Sequence, residues 1–103
     1  MVAIVKLMTK EIERKAPALY SQEDKGDDAI VYAHWFSPYN GWDWYMTEYD
    51  PNERLCFGLV KGFETKWGYW TINELEVVNE HYHFPVIERD LYWEPCTIGS
   101  LMD

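Results

Sequence analysis

His81 and His83 flank a single residue, so on an extended segment both imidazoles would project to one side. With a carboxylate such as Glu80 or Glu88 they could then chelate a metal ion. A working site needs a third or fourth ligand, and two histidines without one read as surface or structural groups. No metal or cofactor is therefore expected. His34 stands alone in an aromatic stretch and reads as a hydrogen-bonded, half-buried imidazole rather than a catalytic base. Glu48, Asp50, Glu88, Asp90 and Glu94 could pair as acid and base only across a groove of fixed width, which no spacing here implies. Arg89, the only lysine or arginine after Lys66, lies between Glu88 and Asp90 and is expected to be held by carboxylates. Ser37, Ser100 and Cys56 lack the flanking glycines of a nucleophile elbow, no glycine-rich phosphate loop occurs, and Cys56 and Cys96 have no CxxC spacing. No catalytic residue is assigned, and binding is expected ahead of enzymatic activity.

The charge is more informative. The chain of 103 residues has a formal charge of −9, and the acidity is segmented: residues 21–53 hold eight carboxylates against Lys25, whereas residues 1–20 and 54–66 are net basic. Such a field repels phosphate backbones, so direct binding of nucleic acid is not expected. It suits a protein partner that itself carries a nucleic-acid-binding groove. Trp35, Tyr39, Trp42, Trp44, Tyr45, Trp67, Tyr69 and Trp70 invite comparison with a base-stacking platform, yet no lysine or arginine lies between Ala29 and Asp50. Most of these rings are expected in the core. At 48% hydrophobic and 17% aromatic residues the chain has ample material for one, and residues 1–103 read as a single domain. No stretch reaches the length of a membrane span and Met1–Met8 is too short for a signal peptide, so a cytoplasmic protein is expected.

The elements that must position these groups follow from pattern. Thr9 predicts a capped helix through Lys15 or Ala16, stopped by Pro17; begun early, it would align Lys6, Lys10 and Arg14 on one face. Ser21–Asp28, polar and centred on Gly26, predicts a mobile loop. Strands are predicted over Ala29–Phe36, Trp42–Asp50, Arg54–Lys61 and Trp67–Trp70, joined by turns that include Asn40-Gly41 and Pro51-Asn52. In the second strand Trp42, Trp44 and Met46 alternate with Asp43, Tyr45, Thr47 and Tyr49, leaving Glu48 as a polar exception on the first face. Gly58 in mid-strand implies a bulge or a tryptophan lying across it. Thr71-Ile72-Asn73-Glu74 is a capping box, opening a helix with Ile72, Leu75 and Val78 inward and Tyr82 as a candidate to extend that stripe. After Pro85 the chain reads as extended to Pro95, with one helical turn at the end. The expected fold is α+β: a four-stranded antiparallel β-meander with an N-terminal helix, a helix after the fourth strand and an extended C-terminal segment.

Five motifs carry a resemblance: Leu7-Met8-Thr9-Lys10-Glu11, Trp44-Tyr45-Met46-Thr47-Glu48-Tyr49-Asp50, Phe57-Gly58-Leu59-Val60-Lys61-Gly62, Gly68-Tyr69-Trp70-Thr71-Ile72-Asn73-Glu74-Leu75 and Ile87-Glu88-Arg89-Asp90. Through them the chain resembles a family of small bacterial proteins catalogued as a domain of unknown function. The resemblance implies carriage by plasmids, phages and integrative elements. With the charge, it leads to an expected role as an acidic binding protein of a mobile element. It would meet a host or element-encoded protein through Glu23, Asp24, Asp27, Asp28, Glu48, Asp50, Glu53, Glu76 and Glu80, imitating nucleic acid toward a host defence protein. The rival expectation is a small-molecule pocket, with or without weak enzymatic activity, lined by Trp44, Tyr45, Glu48, Trp70 and Arg89.

Overall fold

The computed structural model describes residues 6–102. Most of Met1–Met8, weighed above as a targeting signal, lies outside that range. Thr9 caps α1 (Lys10–Lys15), its hydroxyl oxygen accepting from the Ile12 amide at 3.2 Å. Because α1 starts at Lys10, Lys6 stands outside it, and the shared basic face that an earlier start would give does not form.

The expected first strand divides at Tyr32 into β1 (Ile30–Val31) and β2 (Ala33–Phe36). It continues through β3 (Asp43–Asp50), β4 (Leu55–Lys61) and β5 (Thr65–Thr71) into α2 (Ile72–Tyr82). The short β6 (Glu88–Arg89) and β7 (Cys96–Thr97) precede the terminal turn α3 (Ile98–Leu101). The mixed α+β class and the antiparallel meander are observed, but the main sheet has five strands in the order β5-β4-β3-β2-β6. The fifth comes from the C-terminal segment expected to be extended: Arg89 pairs with Trp35 and Glu88 with Phe36. β1 leaves the sheet and pairs with β7 instead.

The turns form as their residues dictate. Gly41 takes φ +75° after Asn40, whose side-chain oxygen accepts from the Trp42 amide at 2.9 Å. Thr71 caps α2 by accepting from the Glu74 amide at 3.1 Å. The inward stripe of α2 is shorter than expected, for Ile72 and Leu75 are buried while Val78 is exposed. Asn79 continues it in a different chemistry, donating to the Ile87 carbonyl at 3.0 Å and accepting from the Ile87 amide at 2.9 Å. A side-chain amide thus does what a neighbouring strand would do for that segment.

Two hydrophobic layers sandwich the sheet. Trp35, Trp44, Met46, Tyr49, Cys56 and Trp70 on one face meet Leu7, Met8, Ile72, Leu75 and Ile87, and the Trp35 indole donates to the Leu7 carbonyl at 2.6 Å. On the other face Tyr45 and Leu59 meet Ala29, Val31 and Ile98. The expectation that most rings serve the core holds for Trp35, Trp44, Tyr45 and Trp70, whereas Tyr39, Trp67 and Tyr69 are exposed.

A bulge at Thr47 decides the faces of the central strand. Met46 is opposite Gly58, but Glu48 is opposite Phe57, so one residue of β3 is unmatched. Strict alternation would place Glu48 beside Met46 and Tyr49 away from it; the extra residue exchanges them. Tyr49 joins the layer of Trp44 and Met46, and Glu48 turns to the opposite face with its cross-strand partner Phe57. The polar exception of the pattern is therefore a shift in phase. Gly58 lies opposite the bulge because a Cβ there would come within 1.8 Å of the Tyr45 carbonyl oxygen. The tryptophan lying across a glycine is found at Gly62, under the Trp42 indole.

Tyr49 supplies a pH signature. Burial first, then the neighbouring Glu13 carboxylate, to which its hydroxyl donates at 3.2 Å, push its phenol up to about 12. The unfolded chain would titrate this group near 10. Its contribution is therefore complete below pH 10 and lost as pH rises toward 12, because only the unfolded state releases the proton in that window. Urea midpoints should fall between pH 10 and 12, and Tyr49→Phe should flatten the decline; an unchanged slope in the variant would refute the assignment.

Candidate functional site

The loop from Tyr20 to Asp28 carries the densest negative charge and is built from beneath by two buried side chains. Glu48, 3% exposed, accepts from the Tyr20 amide at 2.7 Å through one carboxylate oxygen and from the Gln22 amide at 2.9 Å through the other. Gln22 is itself buried. It donates to the carbonyls of Ile30 and Thr47 at 2.9 and 2.7 Å and accepts from the Ile30 amide at 2.7 Å. Every strong hydrogen-bonding group of these two side chains meets backbone, as buried polar groups require. The chain then closes through a 3₁₀ turn at Gly26–Asp28, and the Ile98 amide donates to the Ala29 carbonyl at 2.9 Å.

The expectation of a mobile loop is thus corrected: its backbone is fastened at Tyr20, Gln22 and Ile30, while Glu23, Asp24, Asp27 and Asp28 remain exposed. Glu48 is corrected as well. The bulge turns it under the loop, where it is buried and holds the loop backbone instead of presenting a carboxylate at the surface. Asp50 is half-buried and Glu53 exposed, both at the β3–β4 turn. Glu76 is paired with Arg54 through two bonds of 2.8 and 3.0 Å, and Glu80 lines a separate groove.

A second cluster surrounds His34. Its Nε2 lies 2.7 Å from Asp43 Oδ1 and its Nδ1 lies 3.0 Å from Asp90 Oδ2, while the ring stacks on Tyr45 with centroids 4.5 Å apart. Carboxylates only accept, so both contacts are hydrogen bonds when both ring nitrogens carry protons. Both ring nitrogens thus face carboxylate oxygens. The cluster opens on a shallow cleft of about 370 Å³ beside Ser37, Gly41 and Trp42. What it achieves is architectural, since it ties β2, β3 and the turn after β6 together. The hydrogen-bonded imidazole expected at His34 is present, with partners that no local pattern names: Asp43 reaches it diagonally across the β2–β3 pair and Asp90 from 56 positions away.

A larger open groove of about 1140 Å³ runs between Lys6–Met8, Arg54 and the stretch from Glu76 to Pro85. None of Trp44, Tyr45, Glu48, Trp70 and Arg89 lines either space. Trp44 and Trp70 are buried in one hydrophobic layer and Tyr45 in the other, so strand alternation separates the rings that a shared pocket would need. Among the described residues no carboxylate forms an ion pair with Arg89; its Nε donates to the Lys6 carbonyl at 2.8 Å and fastens the N-terminal segment to β6. His81 lies in the last turn of α2 and His83 is its left-handed cap at φ 59°, so they do not share an extended segment that could chelate a metal. Among the described residues no three histidine, cysteine or carboxylate side chains gather in a way that could hold a metal ion. No helix among those residues is long and apolar enough to cross a membrane.

Residues 5–100 match the family described as "Protein of unknown function (DUF2958)". No curated protein and no solved structure matches the chain.

Proposed function

The chain belongs to that family, the one described as a protein of unknown function, DUF2958, and we propose that it acts there as an acidic binding protein. In this reading Glu23, Asp24, Asp27 and Asp28, with Asp50 and Glu53 as outlying contacts, engage the basic surface of a cytoplasmic protein that binds nucleic acid. The observation that supports it is the fastening of the acidic loop by Glu48 and Gln22. Ordering a flexible segment costs affinity, so carboxylates on a backbone already fixed lose less on association. The mobile-element habit implied for such proteins makes a host defence protein, of the anti-CRISPR or anti-restriction kind, the proposed target. The carboxylates stand in for the phosphates it would otherwise hold.

The test is competition. Increasing amounts of the protein are added to a restriction or CRISPR effector protein holding a labelled DNA duplex, and the released DNA is measured at several salt concentrations. The expected result is displacement that weakens steeply with salt. Reversing Asp24, Asp27 and Asp28 to lysine together should weaken it more than about tenfold, as several lost charge contacts imply. Displacement that survives the triple reversal would exclude this surface, and none across a panel of such proteins would exclude mimicry.

A further inference from the structure

One edge of the sheet is a long strand. β5 is its outermost strand, and no described strand pairs with its outer edge. Hydrogen bonds at both ends of the β4–β5 hairpin fix which backbone groups face outward: the Gly62 amide donates to the Glu64 carbonyl, and the Ile72 amide to the Arg54 carbonyl, each at 3.0 Å. Counting inward from either end along the antiparallel register, Lys66, Gly68 and Trp70 bond to β4, whereas the N–H and C=O groups of Trp67 and Tyr69 point away from the sheet.

The same two residues leave their rings uncovered. Trp67 is 44% and Tyr69 52% exposed, and Phe57 of β4 joins them, its ring centroid 5.7 Å from Trp67 and 4.8 Å from Tyr69. Tyr20, 64% exposed, extends the strip toward the acidic loop. The Tyr69 phenol is pushed up first by the Tyr20 hydroxyl and burial, and the fields of Glu48 and Glu23 add to the effect. The Glu23 amide donates to the Tyr20 carbonyl at 3.3 Å, so a carboxylate-bearing turn stands at this end of the strip. Lys61, the cation on this face of β4, is turned away toward the Tyr45 ring and the Leu101 carbonyl, and Lys66 projects to the opposite face, where it pairs with Glu64.

Unpaired strand groups, exposed rings and unneutralised carboxylates together call for an occupant that is extended and cationic. Arginine satisfies both surfaces, because its plane stacks on aromatic faces and its fork bonds to carboxylates. A second copy of this chain fits less well, since each carries a charge of −9. We propose that the outer edge of β5, with Tyr20, Phe57, Trp67 and Tyr69, docks an extended arginine-bearing segment of a partner protein. The segment adds a strand to β5 and lays its guanidinium groups over the rings beside Glu23. The proposal rests on the binding role argued above and locates a specific contact within it.

The test uses a blocked peptide of alternating arginine and threonine, and the same peptide N-methylated at alternate residues, which keeps its charge but removes strand donors. Amide exchange is followed by NMR. The unmodified peptide is expected to slow exchange at Trp67 and Tyr69 by about tenfold or more, the methylated one not to, and Trp67→Thr to weaken binding roughly tenfold. Threonine keeps the strand, so that loss reports the ring. A peptide that binds without protecting these amides, or equally well when methylated, overturns the docking edge and leaves the acidic loop as the binding surface. The same protection appearing on concentrating the protein alone makes a second copy the occupant and also overturns the proposal. If the peptide does not bind, the docking edge is refuted, and the wider binding role falls only if DNA competition is absent as well.

Discussion

Replacing Glu48 by alanine will lower stability by about 3 kcal/mol, because two buried or half-buried amides lose a charged acceptor at once and bonds to charged groups are worth about 1.5–3 kcal/mol each. The amides concerned are those of Tyr20 and Gln22, at 2.7 and 2.9 Å from the carboxylate. Glu48→Gln will cost less, since the carboxamide still accepts through one atom while its NH₂ group faces a donor. Glu53→Ala, at an exposed turn position, will change stability by no more than about 0.5 kcal/mol, as surface substitutions usually do. Urea unfolding of the three variants separates a fastening role from a mere effect of net charge. If charge alone mattered, removing Glu48 or Glu53 would be equivalent.

Gly58→Ala will be comparably severe, with an expected loss of about 3 kcal/mol or failure to fold. The added Cβ would lie 1.8 Å from the Tyr45 carbonyl oxygen, 2.8 Å from its carbon and 3.0 Å from the Met46 Cα, all of them backbone atoms that cannot swing aside. Relief requires β3 to move where its bulge exchanges Glu48 and Tyr49 between faces. The substitution should therefore weaken protection of the Tyr20 and Gln22 amides in addition to lowering the unfolding midpoint. Gly62→Ala makes the contrast, for the three atoms nearest its Cβ would all belong to the Trp42 indole, 2.8 Å away. A half-buried side chain can shift, and a cost of about 1 kcal/mol is expected. Equal losses at the two glycines would contradict the bulge account.

What could be read from the residues was whatever is local. Thr9 and Thr71 announced their helices, Asn40-Gly41 its turn, and the alternation from Trp42 onward its strand. Contacts between distant segments were not legible. β6 is two residues long and carries no strand pattern; it exists because Asn79 and the edge of β2 capture that stretch. The division at Tyr32 arises because the next neighbour of Ile30 and Val31 is Cys96–Thr97, which no periodicity reveals. The phase shift at Thr47 had a sign in the chain. Glu48 broke the apolar face and Gly58 interrupted the facing strand, two irregularities that a single bulge explains together.

For the acidic loop proposed to bind the same division applies. The acidic residues were evident from composition, but their loop looked mobile because polar residues and glycine ordinarily mark loose chain. Its rigidity depends on Gln22, which resembles any other polar loop residue until the carbonyls of Ile30 and Thr47 are seen around it. The pocket of Trp44, Tyr45, Glu48, Trp70 and Arg89 gathered residues that are near in sequence motif but divided by the sheet. The aromatic run that drew attention to Trp44 and Tyr45 serves the core, whereas Trp67 and Tyr69 on β5 are exposed.

The central claim is that the acidic loop is presented from a fixed backbone. Amide exchange at Tyr20 and Gln22 in the free protein tests it most directly. Protection within about an order of magnitude of that at Met46 in the sheet, lost in Glu48→Ala while the sheet amides stay protected, is the predicted result. Exchange at Tyr20 and Gln22 at the rate of an unstructured segment in the native protein would contradict it.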